Sequence, residues 1–226
     1  GTGFDVVPTD CLALFLKKQL PDATHLKLAF TTLGGGVSHG TAMTMVENLG
    51  KAGAVRRDGR IVEVPVGHKT MEVAFPGKQR FVMTIPWGDV STAYYTTGIP
   101  NIETYTGIAP SAYQYVKWQR RLGWLLRSSW VKRLAKQWID RRPAGPDEAG
   151  RRQGRSLVWG EVRNAAGDQS RACLAAPEGY ALTVQSSLLI ARKALNGQAP
   201  PGFQTPAGAY GEDLILEIEG VAREEC

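Results

Sequence analysis

The sequence predicts an α+β protein whose sheet is mixed and mostly antiparallel, with helices covering one face. Three observations point there. Three pairs of strand-like runs are joined by short turn sequences, as adjacent antiparallel strands are. Segments with helical apolar spacing are interspersed among these hairpins and do not follow every strand. The strand-like runs also carry polar residues, whereas the strands of a doubly wound parallel sheet read as near-continuous apolar runs.

The elements follow in chain order. Gly3-Phe4-Asp5-Val6-Val7-Pro8-Thr9-Asp10 leads into a helix carrying Leu12, Leu14, Phe15 and Leu16, which Thr9 or Asp10 can cap. Thr24 to Leu33 alternates as a strand with one wet face. Thr41 to Leu49 reads as a short helix with Ala42, Met45, Val46 and Leu49 at helical spacing. Asp58-Gly59 joins Ala54–Arg57 to Arg60–Val66, and Pro76-Gly77-Lys78 joins Met71–Phe75 to Arg80–Ile85. Asp89 can cap a helix through Tyr94 and Tyr95, after which Asn101 to Ile108 is extended. A long helical segment is expected from Ser111 to about Arg142, then a mobile, glycine-rich loop from Pro143 to Arg155. Asn164 to Asp168 joins Leu157–Arg163 to Ser170–Ala175. Thr183 to Leu195 is a last helix, stopped by Asn196-Gly197 and Pro200-Pro201, and Asp213 to Ile218 is a last strand.

Composition narrows the class. The 226 residues are 43% apolar and 21% charged, ordinary for a globular protein, and no repeat or low-complexity tract interrupts them. No stretch approaches the ~18 uncharged apolar residues of a spanning helix. The opening Gly1-Thr2-Gly3 has neither a methionine nor a basic region ahead of an apolar run, so a signal peptide is not expected. It reads as a chain entered midway. The cysteines, Cys11, Cys173 and Cys226, are few, odd in number and far apart. That spacing argues against a disulfide framework and for a reducing, cytoplasmic setting. None of the three histidines pairs with cysteine or carboxylate at a metal spacing, so no metal site is expected. His25 and His68 are expected in solvent.

Leu33-Gly34-Gly35-Gly36-Val37-Ser38-His39-Gly40-Thr41 lies between a strand and a helix, where a dinucleotide phosphate loop would sit. Its spacing is G-x-G-x-x-x-G, one residue too long, and the preceding strand carries His25, Lys27, Thr31 and Thr32. Asp58, at a suitable distance for a ribose contact, belongs instead to a tight turn. The loop therefore reads as a bland strand-to-helix turn or as the lining of a substrate cleft, with Ser38, His39 and Thr41 as donors; no cofactor-binding residue is assigned in this chain.

The opening Gly3-Phe4-Asp5-Val6-Val7-Pro8-Thr9-Asp10 resembles the G-F-D-S-x-P-S-D segment of saccharopine-dehydrogenase-like oxidoreductases, which include the trans-acting enoyl reductases. The resemblance continues in Ser38-His39-Gly40-Thr41 and in Pro86-Trp87-Gly88-Asp89-Val90-Ser91-Thr92-Ala93-Tyr94-Tyr95. It returns in Thr97-Gly98-Ile99-Pro100-Asn101-Ile102-Glu103, Glu178-Gly179-Tyr180 and Pro201-Gly202-Phe203-Gln204-Thr205-Pro206. Val6 departs from the family's serine. The resemblance implies that an N-terminal Rossmann domain precedes Gly1 and binds most of the NAD(P). Residues 1–226 would then form the substrate-side and dimerisation domain, with the 183–195 helix packing back on the missing domain. Double-bond reduction needs a hydride donor on one face and a proton donor on the other. Asp5 and Asp89 are the candidate catalytic carboxylates, and Asp10, Ser38, His39, Thr41 and Trp87 the candidate substrate-binding residues. An exposed hairpin edge offers a route to a homodimer.

The remaining clue is charge. Between Ser111 and Arg142 lie nine cations and one anion, +8 in a chain whose net charge is +6. Trp118, Leu122, Leu126, Trp130, Leu134 and Trp138 recur every four residues as one ridge, with Arg120, Arg121 and Arg127 beside it. The ridge reads either as a core-facing stripe with a solvated basic back or as a peripheral contact with anionic membrane or an acyl-lipid substrate. No nucleic-acid motif accompanies the charge, so nucleic acid is not an expected partner. Two functions follow: the substrate half of an NAD(P)-dependent oxidoreductase, enoyl or lipid reduction included, or a non-catalytic lipid- or membrane-binding module on a redox scaffold. The chain alone is expected to bind no NADPH in a nicotinamide-fluorescence titration; saturable binding would restore the glycine loop as a dinucleotide site.

Overall fold

Pro8, fixed in φ and lacking a donor, sits in the first turn of the first helix, where its missing N–H costs nothing. The computed structural model describes residues 1–34, 37–141, 145 and 148–226, without the side chains of Arg120, Arg121, Ala149, Arg151 and Glu225. The elements are α1 (Val7–Gln19), β1 (His25–Leu33), α2 (His39–Glu47), β2 (Gly53–Arg57), β3 (Arg60–Val64), β4 (Thr70–Phe75) and β5 (Lys78–Thr84). There follow α3 (Asp89–Thr97), β6 (Asn101–Gly107), α4 (Pro110–Arg121), α5 (Gly123–Leu126), α6 (Ser129–Asp140) and α7 (Glu148–Gln153). The chain ends in β7 (Arg155–Arg163), β8 (Gln169–Pro177), α8 (Gly179–Leu195), α9 (Pro206–Tyr210), a 3-10 turn (Leu214–Glu217) and β9 (Ala222–Glu225).

The strands form one sheet in the order β3-β2-β6-β1-β7-β8-β9, with the β4–β5 hairpin attached through β5 to β6. Only β1 and β6 run parallel among the described pairs; every other described pairing is antiparallel. The three turn-signalled hairpins are all present. Asp58 at φ +48° and Gly59 at φ +76° make the first of those turns, a conformation that aspartate and glycine tolerate best.

Helices cover one face. Val7, Cys11, Leu12 and Leu16 of α1 are fully buried against Leu26 and Leu28 of β1, Val158 and Val162 of β7, and Leu174 of β8. Each buried leucine contributes about 1.5–3 kcal/mol. Gly160 of β7 lets α1 come close: a Cβ there would lie 2.6 Å from Leu16 Cδ1 and 3.2 Å from Leu12 Cδ2. On the opposite face the β4–β5 hairpin folds over the sheet, and Val73, Phe75 and Val82 pack on Ala29, Tyr105, Leu157 and Trp159.

Several expectations are corrected. β1 has no continuous wet face, because Leu28, Ala29, Phe30 and Thr31 are all buried between the helices and the hairpin. Thr9 and Asp10 lie inside α1 and Asp89 inside α3, so none is the N-cap; those positions fall to Val6 and Gly88. The single long helix is three, interrupted around Leu122–Gly123 and Arg127–Ser128. Gly123 is a poor helix former, and Arg127 turns away to donate to Gly50 O at 2.8 Å. Of the expected mobile loop, Glu148–Gln153 is helical, and residues 142–144 and 146–147 lie outside the described set. Leu214 and Ile215, consecutive and both buried, curl into the 3-10 turn, and the last strand comes later. His68 is half-buried, its Nδ1 2.9 Å from Thr84 Oγ1. Cys173 and Cys226 are joined by a disulfide that pins β9 to β8, so the cysteines no longer support a reducing compartment. No helix of the described residues is long and apolar enough to cross a membrane.

Gly160→Ala is expected to lower stability by about 1–3 kcal/mol through overpacking against α1. A urea midpoint unchanged from the parent would show that α1 does not approach β7 so closely.

Candidate functional site

The segment Gly3–Val6 is where three helix N-termini meet. It runs directly into α1. Gly88, the N-cap of α3, lies against it, since a Cβ on Gly88 would be 3.8 Å from Val6 Cγ2. The first turn of α8 adjoins it too, with Phe4 N–H donating to Thr183 Oγ1 at 3.0 Å and the Phe4 ring over Gly179. Three partial positive ends at one rim call for anionic groups. Each helix brings its own: Asp5 ahead of α1, Asp89 in the first turn of α3, and Glu178 at the N-cap of α8. Glu178 accepts from Tyr180 N–H at 2.9 Å and Ala181 N–H at 3.2 Å.

Asp89 differs from the other two. It is fully buried, and neither carboxylate oxygen has a hydrogen-bond partner among the described residues. Burial pushes its pKa well above the usual carboxylate range. Thr9 and the helix backbone draw it back in part, while Asp10 and Asp5 push it further up. The Nε1 of Trp87, two residues away, is also buried without a partner. Trp87 meets Phe30 at a tilt, 4.7 Å between ring centroids, and Phe30 meets Phe4 edge-on at 5.6 Å. The rim thus holds a buried carboxyl group whose ionisation is disfavoured, with the Phe4, Phe30 and Trp87 rings in contact beside it in the sequence and fold and the exposed Asp5 near enough to act on its charge.

The other candidates divide. Asp10 is buried and fully engaged: it accepts from the Thr96 hydroxyl and, at 2.8 Å, from Ala207 N–H at the start of α9. Burial raises its pKa, and those hydrogen bonds oppose the rise. Ser38, His39 and Thr41 gather on α2. Ser38 Oγ caps the helix by accepting from Thr41 N–H at 3.2 Å, and Ser38 N–H donates to Tyr180 Oη at 2.8 Å. Thr41 Oγ1 lies 3.0 Å from the same Tyr180 oxygen, and His39 Nε2 lies 2.8 Å from Asp140 Oδ1. Tyr180, absent from the sequence-derived set, is therefore what connects α2 to the α8 end of the rim. Its position directly after the Glu178-Gly179 helix start was the available signal.

These bonds bear on NAD(P). A pyrophosphate on the loop ahead of α2 would need free N–H groups there, but those of Ser38 and Thr41 are spent within the chain. Gly35 and Gly36 lie outside the described set.

The basic tryptophan ridge faces outward. Trp118, Leu122, Trp130, Leu134 and Trp138 are all exposed, so the core-facing alternative is set aside. Arg127 is exposed and bonded to Gly50, and the side chains of Arg120 and Arg121 lie outside the described set. Two recesses occur elsewhere. One, about 340 Å³, lies under the β4–β5 hairpin on the sheet face opposite the helices, where Glu161 accepts from Lys27 at 2.9 Å and from Arg171 at 2.8 Å. The other, about 500 Å³ and open, is lined by Lys51, Ala52, Glu63, Arg127 and Lys132. Neither reaches Asp5 or Asp89. No group of three or more His, Cys, Asp or Glu among the described residues could hold a metal ion.

No family model matches the chain, and no curated protein matches it. Among solved structures, apo saccharopine dehydrogenase (L-Glu forming) from Saccharomyces cerevisiae is similar, with a TM-score of 0.60 over 99% of this chain and 73% of that chain, at 11% identity. The likeness is one of fold, and it agrees with the α+β class.

Asp89 and Asp10 both carry raised folded-state pKa values, so these two groups bind more protons in the folded state than in the unfolded one from about pH 4 upward. Their contribution to stability therefore falls as pH rises through that window. Asp89→Asn is expected to flatten the fall and to raise the urea midpoint at pH 7 with no gain near pH 4; parallel profiles for parent and variant would rule out a protonated Asp89.

Proposed function

We propose that this chain is the substrate-side part of an NAD(P)-dependent oxidoreductase that reduces a double bond, an enoyl group being within the class. The observation that carries the reading is the rim at Gly3–Val6, with its unpartnered buried Asp89, on a fold similar to that of a saccharopine dehydrogenase over 99% of this chain. Such a reduction takes a hydride, which NAD(P) held by a separate domain would bring, and a proton, which falls to this chain. Asp5 is exposed and can touch a substrate at the rim. Asp89, enclosed behind it, keeps its proton where an ordinary carboxylate has lost it and acts as a positioning residue. The Phe4, Phe30 and Trp87 rings exclude water from that side, which strengthens every charge interaction there. Ser38, Thr41 and Tyr180 form a hydroxyl cluster between the starts of α2 and α8 for a polar part of the substrate.

A second reading, a non-catalytic lipid-binding module, is favoured by the outward-facing tryptophans. The two part on one measurement. Full-length protein carrying the upstream domain should give a saturable NADPH fluorescence titration under the first reading and none under the second.

For the first reading, Asp5→Asn is expected to lower kcat for NADPH oxidation by about 10²–10⁴-fold. Asp89→Asn should shift the alkaline limb of the pH–rate profile with KM little changed. If Asp5→Asn retains full kcat, the proton comes from elsewhere.

A further inference from the structure

The two long sides of α6 have different partners. One side is tied to α2: Lys132 Nζ donates to Glu47 O at 2.7 Å, Lys136 pairs with the Glu47 carboxylate, and Ile139 is buried. On the other side Trp130, Leu134 and Trp138 stand one turn apart at 54%, 55% and 57% exposure, with the exposed Arg133 and Arg141 beside them. The pattern recurs on α4, where Tyr115, Trp118 and Leu122 share a helix face and are 74%, 59% and 42% exposed. Trp124, on α5 between them, is more exposed still. Leaving four tryptophans this open in water is unfavourable, because each ring can withdraw 150–250 Å² of surface from solvent when covered.

Charge selects the cover. Residues 111–142 carry +8, and the remainder of the chain carries −2. The molecule is therefore polarised, with its positive end at the tryptophans, and a negatively charged surface would attract and orient it by that end. Tryptophan favours the headgroup level of a bilayer, where an apolar ring and a polar N–H are both accommodated, and arginine beside it meets lipid phosphate. No helix of the described residues can cross a bilayer, so the contact lies in the interface plane. A helix of α6's length covers about 18 Å along that plane.

We propose that α6, with α4 and α5 preceding it, docks the protein on an anionic phospholipid bilayer through Trp130, Leu134 and Trp138, with Arg133 and Arg141 on the headgroups. This contact requires neither catalysis nor its absence.

Co-sedimentation with phosphatidylcholine vesicles, with and without phosphatidylserine, examines it directly. The protein should pellet with the anionic vesicles only, release in high salt, and shift its tryptophan emission to the blue when bound. Arg133→Glu with Arg141→Glu should weaken partitioning by about tenfold or more, since each cation near the surface matters about fivefold. Trp130→Ala with Trp138→Ala should abolish the blue shift and most binding while leaving the thermal melt in place. Three outcomes overturn the proposal: equal partitioning into neutral vesicles or none into anionic ones, parent-like binding by both double variants, or a dimer that the tryptophan variant dissolves.

Discussion

The Asp10 carboxylate is the joint on which the helical layer depends. It sits in the first turn of α1, wholly enclosed, and accepts hydrogen bonds from α3 through Thr96 and from the first turn of α9 through Ala207. A carboxyl group so buried is costly unless its oxygens are occupied, so three helices must meet there for any one of them to sit correctly. Thr205 completes the joint, its hydroxyl 2.5 Å from that of Thr96 while also capping α9 through Gly208 N–H. Because α1 also fills the face of the sheet, fixing its rotation fixes where Asp5 and the α3 start are presented.

That arrangement explains why two aspartates in one short region have different roles. Asp10 has donors and holds the fold together. Asp89 has no well-formed hydrogen bond, only the weaker pull of Thr9 and the helix backbone, and it lies close enough to Asp10 and Asp5 for each to disfavour its ionisation. A buried acid so poorly bonded is difficult to explain as a stabilising device alone, which is why it anchors the functional reading.

Much of the sheet was legible in the sequence because its signals are local. Asp58-Gly59, Pro76-Gly77 and Asn164 to Asp168 are turn sequences, and the strands on either side of each are paired as expected. What the sequence hid was decided by distant partners. Asp10 could be read as a cap or a substrate ligand, because its true partners lie 86 and 197 residues away. β1 looked half-wet because nothing in Lys27 or Thr31 announces that a hairpin closes over that face; Lys27 is tolerated there because Glu161 meets it at 2.9 Å. The tryptophan ridge had correct spacing but an undetermined direction, which packing of α6 on α2 decided. Cys173 and Cys226, 53 residues apart, gave no sequence pattern from which to infer their pairing.

The parallel contact of β1 with β6 has a consequence for how the chain reaches this state. β1 lies at the centre of the sheet, yet neither of its neighbours is close in sequence: Leu26 pairs with Ile102 on one side and Val162 on the other. The hairpins can close quickly, since their loops are short, but the central strand must wait until most of the chain is available. During synthesis it is an apolar segment with two unpaired edges. Assembly of this protein should therefore be governed by the slow insertion of one early strand between two late ones, and the α1 segment that precedes it is its natural cover in the interval.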